Sequence, residues 1–120
     1  MTVPGHRHER VAEEIRHEVS IMLAGDLKDP RIAGLVTVTE VRVSPDLRQV
    51  RVFVSVMGSE AEQASTLEGL DAASRFVRRE LVERLSLRRA PEIFWVLDKS
   101  EEYGEHIEDL LRQLKKGSGE

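Results

Sequence analysis

The sequence predicts one α+β domain in two layers, a three-stranded sheet with helices on one of its faces. Its apolar periodicity switches between helical and strand spacing in the order helix, strand, strand, helix, helix, strand, helix. A chain of 120 residues that is 40% hydrophobic and 33% charged suits a single globular core. We therefore expect a flexible N-terminus over residues 1–8, the domain over residues 9–114 and a tail over residues 116–120.

The first predicted helix runs from Glu9 to Leu23, because apolar side chains recur there at helical spacing. Gly25 is well placed to end this helix. A loop follows from Asp26 to Gly34, and the dipeptide Asp29-Pro30 within it favours a turn.

The next two predicted strands form an antiparallel hairpin. The apolar residues of the first strand, Leu35 to Val43, change parity midway, and a β-bulge near Thr39-Glu40 would return them all to the core side. Ser44-Pro45-Asp46-Leu47 has proline where a type I turn prefers it. Valines then alternate with other residues from Val50 to Val56, which predicts a strand with one buried face.

A helix with a break in its middle is predicted after the hairpin. The segment from Gly58 to Ala64 is predicted to be a polar connector, and Ser65-Thr66-Leu67-Glu68 matches a capping box at the start of the helix. An apolar stripe then continues to Leu85 through the small residues Ala72-Ala73. These small residues predict an interruption between two helical halves.

A third strand is predicted from about Glu92 to Leu97, after Pro91 has stopped the helix. Phe94 and Trp95 are expected in the core because they lie within this apolar strand, which leaves Phe53 as the better exposed aromatic residue. A last helix is expected over residues 101–115, capped by Ser100.

Positive charge is concentrated beyond the helix break, in a protein whose net charge is −4. An anionic partner could dock on such a segregated cluster. On charge alone a solvated surface is an equally good interpretation, since Glu80 can pair with Arg84 and Glu83 with Arg79. The cluster between residues 75 and 89 consists of Arg75, Arg78, Arg79, Arg84, Arg88 and Arg89.

Residues 98–109 carry the opposite charge, with six acidic residues against Lys99 alone. The alternative function is therefore a protein–protein interaction module that docks through this acidic C-terminal helix or through an open edge of the sheet.

The residue types that several other functions need are missing from the sequence. The chain has no cysteine, which excludes disulfide, thiol and iron–sulfur chemistry. No apolar run is long enough to span a membrane and the first residues lack a signal core, so we expect a cytoplasmic protein without a membrane partner. His6 and His8 have no neighbouring carboxylate or thiol, and no nucleophile elbow or glycine-rich phosphate loop is present. We therefore expect no enzymatic activity, no metal and no cofactor.

Several segments resemble the ribosome-binding factor A family of bacterial small-subunit assembly factors. The resemblance covers about residues 9 to 114, in the family's order and spacing. The element order with its broken central helix also resembles the type II KH domain, an RNA-binding fold. The segments are Arg10-Val11-Ala12-Glu13-Glu14-Ile15, Asp29-Pro30-Arg31-Ile32, Val41-Arg42-Val43-Ser44-Pro45-Asp46-Leu47, Leu87-Arg88-Arg89-Ala90-Pro91-Glu92-Ile93, and Asp98-Lys99-Ser100 with Gly104 and Ile107.

The resemblance implies a KH-like type II fold that binds the free 30S subunit and its 16S rRNA, near the 5′-terminal helix. It also implies help in late 30S maturation and in processing of the 16S rRNA 5′ end, with particular importance in the cold. Members of such a family act on free small subunits and not on 70S ribosomes or polysomes, and we expect a monomer.

KH domains clamp nucleotides with a Gly-x-x-Gly loop, which this chain lacks. The resembling family usually has an Ala-x-Gly interruption instead, and Ala73-Ser74-Arg75 aligns with it, so that arginine stands where glycine is usual. The candidate RNA-binding residues are Ala73, Ser74, Arg75, Arg78, Arg79, Arg88 and Arg89, with Arg7, Arg10, Lys28 and Arg31 as less specific candidates.

Overall fold

The computed structural model describes residues 7–32 and 35–99 of the chain. The predicted last helix, residues 101–115, lies outside the described residues. The described elements are helix α1 (Arg7–Ile21), a π-helical turn (Met22–Asp26), strands β1 (Val36–Val43) and β2 (Gln49–Val56), helices α2 (Glu60–Ala72) and α3 (Ser74–Leu85), and strand β3 (Glu92–Leu97).

Helix α1 begins two residues before the predicted start at Glu9. Arg7 and His8, expected in a flexible N-terminus, are therefore helical, whereas residues 1–6 lie outside the described part of the chain. No capping residue marks this start in the sequence, and helix ends without such a mark are poorly defined by periodicity. The helix packs Ile15 and Val19 into the core and continues directly into the π-helical turn.

The sheet has the strand order β1-β2-β3, with β1 antiparallel and β3 parallel to the central strand β2. The predicted bulge is confirmed, because the register of β1 shifts between Val38 and Glu40. As a result Val38, Val41 and Val43 are all buried on the same side. The parallel pairing places the start of β3 beside the β1–β2 turn, since Glu92 pairs with Gln49.

Helix α2 starts at Glu60, so the predicted polar connector and the capping box at Ser65 are wrong. Ser59 is the real N-cap: its hydroxyl accepts the N–H of Glu62, whose carboxylate accepts the N–H of Ser59, both at 3.2 Å. Sequence periodicity missed this start because the side of α2 that faces the protein buries polar residues, Gln63 and Thr66. These side chains donate hydrogen bonds to backbone carbonyls of other segments. Gln63 donates to Val56 at 3.2 Å, and Thr66 donates to Arg31 at 3.2 Å.

The predicted break in the central helix is confirmed at Ala73, which lies between α2 and α3 with φ −84° and ψ −4°. Both halves contribute to one core, because Leu70 before the break and Val77 and Leu81 after it are fully buried. The core therefore lies between one face of the sheet and the layer formed by α1, α2 and α3.

Within residues 7–32 and 35–99 the helices pack on one face of the sheet and leave the other face uncovered; we call this second face the open face. Phe94 lies on this face with 40% exposure, so the prediction that it belongs to the core is wrong. Trp95, its neighbour of opposite parity, is half-buried and packs against the core as predicted. The strand was identified correctly, but alternation in a strand with one buried face sends adjacent residues to opposite sides.

Candidate nucleic-acid interface

Five of the predicted arginines line one cleft of about 480 Å³ beside helix α3, which we call the helix cleft. Three of them come from α3 and two from the loop that connects α3 to β3. Glu83 is the acidic residue in its lining. The arginines are Arg75, Arg78, Arg79, Arg88 and Arg89.

Arg78 holds the α3–β3 loop against the helix. Its Nε donates to the carbonyl oxygen of Pro91 at 2.8 Å, and its Nη2 donates to that of Ala90 at 3.4 Å. Because these acceptors are neutral, they fix the guanidinium group without cancelling its charge. Arg78 therefore serves the fold and still contributes a positive charge to the helix cleft.

The remaining charges of the helix cleft are not neutralised in the expected way. Arg79 lies over the ring of Phe76, 5.9 Å from its centroid, and does not form the predicted ion pair with Glu83. Arg75 is exposed and has no acidic partner among the described residues. Like charges one helical turn apart cost an isolated helix about 0.2–0.5 kcal/mol per pair. The repulsion between these like charges opposes folding, and a bound polyanion would relieve it.

Arg84 belongs to the same run of arginines in the sequence but has a different environment. Its guanidinium group contacts Asp26 at 3.0 Å, Glu80 at 3.1 Å and Glu18 at 3.4 Å. The hydrogen bond to Asp26, with those to the two glutamates, raises the pKa of Arg84. The predicted Glu80–Arg84 pair is confirmed, and the charge of Arg84 is used to join α1, the π-helical turn and α3.

A second and larger cleft, of about 780 Å³, lies at the end of the sheet where the β1–β2 turn meets the α3–β3 loop. We call it the turn cleft. It collects arginines from three separate elements, and it shares Arg88 and Arg89 with the helix cleft, so the two clefts form one basic surface. The arginines of the turn cleft are Arg7, Arg10, Arg48, Arg88 and Arg89.

Sequence analysis missed Arg48, which follows the β1–β2 turn and is exposed in the turn cleft. Its backbone carbonyl accepts the N–H of Glu92 at 2.8 Å, which ties the turn to the start of β3. Arg48 could have been found by predicting that β3 pairs in parallel with β2. Such pairing places Arg48 near Arg88 and Arg89 at the same end of the sheet.

Ala73 and Ser74, the candidates at the helix break, are half-buried and lie outside the lining of both clefts. The hydroxyl of Ser74 accepts the indole N–H of Trp95 at 2.8 Å and donates to the carbonyl of Leu70 at 3.3 Å. Both hydrogen-bonding roles of this hydroxyl are therefore used within the protein.

Lys28 and Arg31, the candidates in the loop after α1, also lie outside both clefts. Arg31 makes a forked ion pair with Asp29, with nitrogen–oxygen distances of 3.0 and 2.7 Å. The hydrogen bonds from Arg31 lower the pKa of Asp29 to about 2. The charge of Arg31 is thus largely matched within its own loop, whereas Lys28 is simply exposed.

Residues 7–32 and 35–99 lack two other kinds of feature, a metal-binding cluster and a membrane-spanning helix. No group of three or more metal-binding side chains occurs there. Within the same residues no helix combines the length and the apolar character that crossing a membrane requires.

This chain is similar to known proteins of the ribosome-binding factor A family. The family model described as ribosome-binding factor A matches residues 7–111. Ribosome-binding factor A of Acetivibrio thermocellus is 50% identical to this chain over 107 residues, which is 89% of this chain and 87% of that relative.

Two solved structures share the fold. The crystal structure of ribosome-binding factor A from Thermus thermophilus has a TM-score of 0.66 at 26% identity and covers 75% of this chain and 93% of its own. A homology model of the Thermus thermophilus protein, fitted into a cryo-electron microscopy map of a 30S–RbfA complex, has a TM-score of 0.60 at 26% identity. It covers 73% of this chain and 91% of its own.

Proposed function

This chain belongs to the ribosome-binding factor A family, and we propose that it is a non-enzymatic, RNA-binding assembly factor of the small ribosomal subunit. It binds the free 30S subunit through 16S rRNA near the 5′-terminal helix. There it assists late 30S maturation and processing of the 16S rRNA 5′ end, with particular importance in the cold. It acts as a cytoplasmic monomer and does not associate with 70S ribosomes or polysomes. The fitting of a Thermus thermophilus relative into a 30S complex supports the choice of partner.

The proposal includes a KH-like type II fold over residues 9–114. A hairpin, a broken helix and a third strand parallel to the second support this assignment. The chain has no Gly-x-x-Gly loop with which to clamp four nucleotides. We therefore expect its contacts to RNA to be made chiefly with phosphates.

The observation that carries the proposal is the continuous basic surface formed by the helix cleft and the turn cleft in an acidic protein. Arginine offers forked donors that fit phosphate oxygens, and binding to RNA releases the counterions that RNA holds. Changing Arg75 and Arg79 gives the most direct test. Both are exposed, and neither anchors the fold by a hydrogen bond in the described part of the chain.

The test measures binding to purified 30S subunits with R75E/R79E and with R42E/R51E as the matched control. Arg42 and Arg51 are also exposed arginines, but they lie on the open face of the sheet. We expect R75E/R79E to lose at least about tenfold in affinity at 0.1 M salt and the control to keep its affinity. Equal affinity of the two double variants would refute this placement of the RNA-binding surface.

Sedimentation of cell extracts distinguishes this function from the alternative, a protein–protein module that docks through its acidic C-terminal helix or a sheet edge. We expect the protein to travel with free 30S particles and to be absent from 70S fractions. Release by ribonuclease and by raised salt supports RNA binding. Association that resists both treatments would favour the protein–protein module.

A further inference from the structure

The turn cleft joins three elements that are distant in the sequence. Arg7 and Arg10 come from the first turn of α1, Arg48 from the end of the β1–β2 turn, and Arg88 and Arg89 from the α3–β3 loop. Five exposed arginines thus surround one concave space of about 780 Å³, in which Glu14 and Asp46 are the acidic residues. Within residues 7–32 and 35–99 the side chains of these arginines form no salt bridge, although the charge of Arg48 helps to lower the pKa of the neighbouring Asp46.

The backbone around this cleft is held in an unusual conformation. Leu47 and Ser86 have φ values of 60° and 53°, and among the described residues they are the non-glycine residues with positive φ. Both line the turn cleft, and each comes one or two residues before an arginine of that cleft. Left-handed non-glycine residues persist only where their surroundings enforce them, and such strain concentrates at functional sites.

Hydrogen bonds fix the β1–β2 turn before any ligand binds. The hydroxyl of Ser44 donates to Asp46 Oδ1 at 2.6 Å, and the N–H of Arg48 donates to the same oxygen at 3.1 Å. The Ser44 hydroxyl and the backbone of Arg48 lower the pKa of Asp46. On the other side of the cleft, Arg78 fixes the α3–β3 loop through Pro91. Arg48, Arg88 and Arg89 are therefore carried by a turn and a loop that need little ordering on binding, which favours affinity.

The described residues that line the turn cleft include no aromatic residue. Proteins that bind unpaired bases usually stack them on aromatic side chains. In this protein the partly exposed Phe53 and the exposed Phe94 lie on the open face of the sheet instead. Among the described residues, the cleft therefore offers a ligand positive charge and forked donors, and it lacks the aromatic rings on which unpaired bases are usually stacked.

We propose that the turn cleft is a preformed site for the phosphate backbone of RNA, bound without regard to base sequence, and that Arg48 is one of its contact residues. This inference rests on the proposed function and adds to it the kind of contact made at the turn cleft and a new contact residue, Arg48. The turn cleft and the helix cleft form one continuous RNA-binding surface of the protein, because Arg88 and Arg89 line both clefts.

The test compares R48Q with R51Q. Both arginines are exposed near the start of β2, but Arg51 pairs across the sheet with Phe94 and does not line the turn cleft. Binding is measured to 30S subunits and to two RNA hairpins that have the same length and different base sequences. We expect R48Q to bind the 30S subunit and both hairpins about tenfold more weakly at 0.1 M salt. The slope of log affinity against log salt concentration should fall in magnitude by about 1. R51Q is expected to match the unmodified protein.

Two results would overturn the inference. They are an affinity of R48Q equal to that of R51Q, and a loss of affinity confined to one of the two hairpin sequences. If R48Q alone behaves normally while R75E/R79E abolishes 30S binding, the turn-cleft inference fails and the proposed function stands.

Discussion

Trp95 on β3 donates its indole N–H to the hydroxyl of Ser74, the first residue of α3, over 2.8 Å. The same hydroxyl donates to the carbonyl of Leu70, in the last turn of α2. One side chain thus links both halves of the broken helix to the edge strand of the sheet. Ser74, which the sequence suggested as an RNA-binding residue, therefore fixes the geometry of the helix break.

Replacing Ser74 with alanine is expected to lower the free energy of unfolding by about 1–2 kcal/mol, because it leaves a partly buried indole N–H without its partner. Urea unfolding followed by tryptophan fluorescence measures this change. S20A is the matched control, since Ser20 makes only the local bond to the carbonyl of Arg16. Equal losses for S74A and S20A would show that the bond to Trp95 contributes nothing.

Replacing Gly69 with alanine is expected to destabilise the fold by about 1–3 kcal/mol through overpacking. A Cβ at this position would lie 2.8 Å from Cγ1 of Ile32 and 3.0 Å from Cβ of Arg31, so the loop after α1 would have to move. Because alanine is a better helix former than glycine, helix propensity alone would make G69A more stable than the unmodified protein. A loss of stability would therefore report the overpacking.

The control for this substitution is G25A, because nothing lies within 4 Å of a Cβ built there. Thermal unfolding of both variants gives the comparison. A G69A protein as stable as the unmodified one would mean that the loop does not press against α2 in solution.

The Asp29–Arg31 pair predicts an acid-dependent loss of stability. Hydrogen bonds from Arg31 lower the pKa of Asp29 from its ordinary 3.8 to about 2. A carboxyl group whose folded pKa is depressed stabilises the protein above its unfolded pKa, and that contribution disappears as the pH falls through the folded value. We therefore expect D29N to be less stable than the unmodified protein above about pH 4, with the difference shrinking toward pH 2.

Urea unfolding across this pH range measures the difference between the two proteins. R31Q should reproduce most of the effect of D29N, because it removes the side-chain hydrogen bonds and leaves the one from the backbone N–H of residue 31 to Asp29. The double variant should therefore be little less stable than D29N alone. A difference that stays constant from pH 6 to pH 2 would contradict the linkage.

Replacing Arg84 with glutamine is expected to destabilise the fold without weakening RNA binding. It removes contacts to three carboxylates on α1, the π-helical turn and α3, so we expect a lower free energy of unfolding, with a larger loss than removal of a single surface pair would cause. R16Q, which removes one surface pair within α1, should cost less than about 0.5 kcal/mol. Weakened 30S binding by folded R84Q would show that this arginine also contacts RNA.

Local periodicity was enough to predict the secondary structure wherever apolar residues mark the buried side. The bulge in β1 followed from the change of parity between Val38 and Val41, and the helix break followed from Ala72 and Ala73. The start of α2 was missed because its buried positions are filled by Gln63 and Thr66, whose hydrogen bonds are made to other segments. Polarity is a poor guide to burial when the partner is distant in the sequence.

The sequence by itself determined the strands, the broken helix and the concentration of arginines beyond the break, because these depend on residues close together in the chain. Only the tertiary structure decided which arginines act together. It paired Arg84 with carboxylates of α1 and the π-helical turn. It also brought Arg7, Arg10 and Arg48 beside Arg88 and Arg89. The physical reason is the parallel pairing of β3 with β2, which sets the two turns at one end of the sheet and which no local pattern encodes.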